Sequence, residues 1–154
     1  MRRCLALLAV ALITAATPLM GQVQVTGIRD LNFGAVIPGL QSSVSPTHPI
    51  RSGQFYIRYV VGGRVRLRFT LPSSLARVGG GATMPIRFRN GDGIFQETDP
   101  GSPPSSFNPN AVANEFLLLP NPDANIWLGG SVTPSTTQAT GTYVGTIVLS
   151  VTVF

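Results

Sequence analysis

Lysine is missing from this chain altogether, and cysteine, histidine and tryptophan occur once each among 154 residues. Charged residues make up 11%, against about 25% in an ordinary soluble domain. A lone cysteine excludes an internal disulfide, and with a lone histidine it leaves too few ligands for a zinc site. Every basic residue is arginine, 11 in all against 6 acidic residues. What the chain holds instead is 44% hydrophobic residues, with 17 Gly and 13 Pro. Low charge with that much apolar content excludes simple disorder. So many glycines and prolines argue against a helical bundle, because both break helices. The length allows one domain, and the composition reads as all-β.

The first segment reads as an export address. Arg2 and Arg3 open it, positions 4–16 form an almost unbroken apolar run of 13 residues, and small or polar residues lead on to Gln22. That order is the secretory signal pattern, with cleavage expected after Gly21. The run falls short of the roughly 20 residues that span a bilayer as a helix. The expected division is a signal peptide over 1–21 and a single domain over 22–154, exported through the Sec pathway to the periplasm, the cell surface or the medium. Loss of 1–21 removes Arg2, Arg3 and Cys4, which leaves nine arginines against six acids, a formal +3, and no thiol. An exported chain with that modest charge does not point to nucleic acid. No later stretch is long enough for a transmembrane helix.

Strand-like stretches then recur between turn signals, as in a sandwich or barrel. Val23 and Val25 alternate with polar neighbours. A second strand is expected over 31–37, stopped by Pro38-Gly39, with a loop over 40–52. Phe55, Ile57, Tyr59 and Val61 before Gly62-Gly63, with Val65, Leu67, Phe69 and Leu71 after it, read as a hairpin. A three-residue loop, Gly62-Gly63-Arg64, would pair Tyr59 with Leu67 and Ile57 with Phe69, giving one apolar face. The other face would carry Arg58, Arg66 and Arg68, with Arg58 opposite Arg68. Further strands are expected at 83–89, 93–97, 115–119, 126–128 and around Val132. Residues 98–114, with four prolines, read as the longest loop. The closing run is the clearest: Tyr143, Ile147, Leu149, Val151 and Val153 fall on one face, and Val144, Thr146, Val148, Ser150, Thr152 and Phe154 on the other. Strict alternation of that length is a long strand with one face in a core.

Asp30-Leu31-Asn32-Phe33-Gly34 with Pro38-Gly39 resembles the opening of a bacterial secreted family, the domain of unknown function 4402. Leu128-Gly129-Gly130-Ser131-Val132, Gly141-Thr142-Tyr143-Val144-Gly145 and the run to Phe154 are similar to its close. That family is in turn similar to chaperone–usher pilins and spore coat U proteins, so the resemblance implies an immunoglobulin-like (pilin-like) β-sandwich. It also implies an assembly strand over Gly141, Tyr143, Ile147, Leu149, Val151 and Val153, on which a periplasmic chaperone or a like subunit adds a strand. Ahead of Leu31, Val23, Val25 and Ile28 are the residues able to plug such a groove.

No catalytic, cofactor or metal constellation is legible. His48 reads as an exposed loop residue, since no carboxylate near it in sequence orients it for a nucleophile. Asp92, Glu97 and Asp99 lack an EF-hand spacing and read as turn and solubility residues. Gly79-Gly80-Gly81 lacks the lysine and helix of a phosphate cradle. Trp127 reads as core packing beside Leu128. One candidate binding face remains: Arg58, Arg66 and Arg68 with Tyr56, for an anionic surface glycan held by charge and stacking. The expected function is an exported structural protein without catalysis, adhesive or fibre-forming. The alternative is a small outer-membrane β-barrel, for which the alternating ending at Phe154 speaks.

Overall fold

The computed structural model describes residues 23–59, 63–99, 101–118 and 123–154. The expected signal peptide and its cleavage point lie outside the described residues, as do Val61, Gly62 and the end of the 115–119 strand. All regular structure among the described residues is β, in antiparallel sheets. No helix among them is long and apolar enough to cross a membrane, which says nothing of strands.

The largest closed core lies between two sheets. One holds β1 (Val23–Arg29), β3 (Gly53–Tyr59), β10 (Ala124–Leu128), β7 (Gly93–Glu97) and β8 (Ser105–Phe107), in that order. The facing sheet holds β13 (Val148–Val153), β4 (Gly63–Thr70) and β9 (Asn114–Leu118). Alternate residues of both point inward: Ile57, Val65, Leu67, Ala124, Ile126 and Leu128 are fully buried in one cluster. Aromatic rings bridge the layers, with Phe95 of β7 stacked on Phe116 of β9 at 4.1 Å and Phe107 of β8 stacked on Phe69 of β4 at 5.8 Å. Apolar area removed from water in this way is the main stabilising term of the domain.

This arrangement corrects the expected hairpin. β3 pairs with β1 and β10, while β4 pairs with β13 and β9, so the two strands oppose each other through the core and share no ladder. The alternation was a sound guide to which side chains turn inward. Period 2 fixes the buried face and leaves the choice of partner open. Gly63 and Arg64 are the first residues of β4 and not loop.

A third sheet, β12 (Tyr143–Val144), β5 (Ser74–Arg77), β6 (Thr83–Arg87), β11 (Gly130–Val132) and β2 (Ser42–Val44), extends the molecule. It is fed by bent ribbons. β4 runs on into β5 and β12 into β13, and at the bend residues 145–147 face residues 71–75. Pro72 has no N–H to give the ladder there, so the long closing strand is divided into β12 and β13. A second ribbon bends at Gly129, between β10 and β11. A Cβ at Gly129 would collide with the Val44 carbonyl oxygen and the Pro46 ring, so only glycine lets the strand pass. The expected loops over 40–52 and 98–114 each contain a short strand, β2 and β8, anchored by buried Val44 and Phe107.

Candidate functional site

The inner face of the third sheet presents Leu75, Met84, Ile86, Val132 and Tyr143. No second sheet among the described residues covers it. Residues 31–39 lie across it as an irregular strap, where a regular strand was expected. The strap is tied at both ends. Asn32 donates its N–H to the Arg51 carbonyl at 2.9 Å, and Gly39 donates to the Ser135 carbonyl at 3.1 Å. The Asn32 side chain accepts from the Gly34 N–H at 2.8 Å, turning the chain at a glycine with φ of 69°. Leu31 just ahead of the first tie, and Phe33 and Val36 between the two, settle on the sheet.

Strap and sheet leave a groove of about 790 Å³. Its walls include Phe33, Met84, Ile86 and Val132, and it runs on past Phe55 and Leu128 to Gly27 of β1 on one side and Gly145 and Ile147 of the β12–β13 bend on the other. β1 and β13 are the edge strands of their sheets, and both border this end of the molecule. Among the described residues each pairs on one side only, so each presents a sheet edge of backbone groups. On β1, Val25 faces the same side as the fully buried Ile57 yet stays 36% exposed, and Ile28 is 53% exposed. The core is open along that edge.

Of the expected assembly residues, Gly141, Tyr143 and Ile147 line the groove, and Leu149, Val151 and Val153 continue beyond it along the β13 edge against the closed core. Tyr143 sits in β12 opposite Arg77, Ile147 at the bend, and Leu149, Val151 and Val153 on the inner face of β13, half-buried. Tyr143 is anchored by donating its hydroxyl hydrogen to the Ala139 carbonyl at 2.7 Å while accepting from Gln138 Nε2 at 2.6 Å. Gly141 has φ of 148° and a Cβ there would strike the Arg77 side chain, so glycine is required. Residues 23–29, from which the plugging side chains were expected, already form β1 in the chain's own sheet.

The four residues of the expected anionic face are divided between two layers. Tyr56 and Arg58 stand on the outer face of β3, Arg66 and Arg68 on the outer face of β4, with the core between them. Arg64 joins Arg66 and Arg68 in one exposed row. Within that row Arg66 is bound to Glu115 at 2.7 Å and lies over the Phe154 ring at 4.7 Å, and Arg68 donates to the Val112 carbonyl at 3.3 Å. The expected Arg58–Arg68 opposition does not occur: Ser150 stands opposite Arg68, and Gln24 opposite Arg58. On the other layer the Tyr56 hydroxyl donates to the Asp123 carboxylate. That bond holds the phenol protonated above its ordinary pKa, with burial and the Asp123 charge acting in the same direction and Arg58 opposing them.

His48 is half-buried and works as a turn anchor, its Nδ1 accepting the N–H groups of Ile50 at 3.3 Å and Arg51 at 3.1 Å. Asp92 accepts the Arg89 N–H at 2.6 Å. Among the described residues no three His, Cys, Asp or Glu side chains are grouped to hold a metal ion. Trp127 is not core. Ile126 and Leu128 point inward, so alternation turns the indole outward, half-exposed between Gln54 and Ile94. In comparisons with known proteins, no family model and no curated protein matches the chain.

Proposed function

We propose that the chain is an exported structural protein of the pilin-like kind, whose immunoglobulin-like domain takes an extended strand from a periplasmic chaperone or a like subunit. The observation that carries this reading is the apolar groove bordered by two free strand edges. An added strand pairs its backbone with such an edge and lowers alternate apolar side chains between the walls. Phe33, Met84, Ile86 and Val132 supply the apolar floor, and Tyr143 and Ile147 line the β12–β13 side, with Leu149 next along β13. Residues 23–29 are the donor this reading favours. Strand β1 is mostly exposed, so its withdrawal from one copy and insertion into the next exchanges a weak edge position for a buried one.

The test uses the purified chain from 22 onward and a synthetic peptide of residues 22–30. In molar excess the peptide is expected to raise the melting temperature by several degrees, because a ligand that binds only the folded state stabilises it by mass action. A Val25→Asp peptide is expected to have no effect. No shift with either peptide, together with a concentration-independent monomer in sedimentation, overturns the reading. Partition of the chain into membranes without detergent overturns it as well, in favour of a barrel.

A further inference from the structure

The outer face of the β1-β3-β10-β7-β8 sheet is unlike the rest of the surface. Its central rows are Ile94, Trp127, Gln54 and Arg29 side by side, then Gln96, Asn125, Tyr56 and Thr26, then Arg58 and Gln24. These are mostly neutral amides, hydroxyls and rings, with Arg29 and Arg58 at the margin on β1 and β3; Arg29 is tied to Ser52 and to the Pro49 carbonyl. The opposite sheet carries three arginines in one row instead.

The amides are held in place. Gln54 Nε2 donates to Asn125 Oδ1 at 3.0 Å, which leaves the Asn125 N–H groups and the Gln54 carbonyl oxygen free to face outward. Gln96 Nε2 donates to the Ser102 carbonyl at 3.2 Å and keeps its own oxygen free. The Tyr56 ring is fixed by the bond from its hydroxyl to Asp123. Arg58 makes no hydrogen bond or ion pair among the described residues.

We infer that this face binds a neutral polysaccharide across Trp127. A pyranose ring has an apolar C–H face and a rim of hydroxyls, each both donor and acceptor. An indole supplies the flat apolar platform for the first, and amides supply paired donors and acceptors for the second. Trp127 and Tyr56 stand on neighbouring strands at a diagonal of roughly 7–8 Å, a span that a short oligosaccharide covers. Because the amides are fixed before the ligand arrives, little ordering is left to oppose binding. A nucleic acid would call for a strongly basic face, and two marginal arginines beside the Asp123 carboxylate do not make one.

The single tryptophan makes the site its own reporter. The probes are cellohexaose, laminarin and yeast mannan, with heparin as the polyanion. At least one neutral probe is expected to shift or quench the intrinsic emission and to retard the protein in affinity electrophoresis. Trp127→Ala is expected to abolish retardation, and Asn125→Ala to weaken it about three- to tenfold, the scale of one hydrogen bond. Arg66→Glu with Arg68→Glu, on the far layer, is expected to leave neutral-glycan binding unchanged. Should Trp127→Ala not fold, Asn125→Ala and Gln54→Ala carry the same test. The inference is overturned if no neutral probe alters the emission at millimolar concentration. It is equally overturned if heparin alone binds and the Arg66/Arg68 variant loses that binding.

Discussion

The two apolar clusters of this molecule are built from similar residues and end in different states. Between the β3 and β4 layers, side chains meet across the core, and Ile57, Leu67 and Ile126 reach zero exposure. Under the third sheet a single strap faces five strands, and Phe33 keeps 8% exposure while the groove beside it stays open. Hydrophobicity alone did not decide which region closed. What decided it was whether a second layer was present, since a sheet buries its apolar face only against another element. The open half is where a partner strand gains most, and the closed half is where the domain gets its stability.

Truncation on the two sides sharpens this contrast. Leu67→Ala or Ile126→Ala empties a sealed space and is expected to cost about 3–5 kcal/mol, read from urea unfolding. Met84→Ala removes a groove wall that already borders open volume, so little new sealed cavity forms. About 2 kcal/mol is expected there, at the low end for such a deletion. Equal losses at Met84 and Ile126 would break the comparison, because they would mean that the groove is closed in solution.

Gly129→Ala attacks the bend through which β10 leaves the closed half as β11. The added methyl group meets backbone at Val44 and the ring of Pro46, neither of which swings away as a long side chain does. A loss of about 1–3 kcal/mol is expected in the same urea experiment. A neutral substitution would show that the two halves move independently at this point.

The inward faces were legible from period-2 patterns at β3, β4 and β13, and each of those patterns holds. Their partners were not legible, because the pattern of β3 suits β4 and β10 equally. Residues 31–37 of the strap were read as a strand stopped by Pro38-Gly39. Here the Asn32 side-chain turn and Gly34 at positive φ break the strand. Trp127 was misplaced by composition, which favours burying tryptophan, although the Ile126 and Leu128 positions on either side already require it to point outward. The groove itself had no signature in sequence, since it arises from the bend at residues 71–75 opposite 145–147, far apart in the chain.

Leu149 tests the margin between the halves. From the alternation alone a fully buried leucine would cost about 2–5 kcal/mol on truncation. In β13 it is half-buried along the open edge. Leu149→Ala is therefore expected to cost about 1–2 kcal/mol, in proportion to the area it hides from water. Addition of the 22–30 peptide should enlarge that cost if the strand it supplies covers Leu149.

The smallest effect concerns the outside of the closed half, where Tyr56 donates to Asp123. The folded protein holds this phenol protonated above its ordinary value of 10.0. A group whose folded pKa is raised favours the fold while the unfolded phenol is still protonated, and that contribution disappears as pH climbs through the folded value. The chain is expected to lose this contribution only above about pH 10, whereas Tyr56→Phe lacks it at every pH. Urea midpoints of the two proteins, slightly separated at pH 8, should converge as pH rises above 10 through the raised folded value. The exposed position of the ring keeps the separation small beside that of Leu67→Ala. Midpoints that diverge with rising pH would mean that the phenolate, and not the phenol, is the form the sheet face holds, and that Arg58 outweighs Asp123 there.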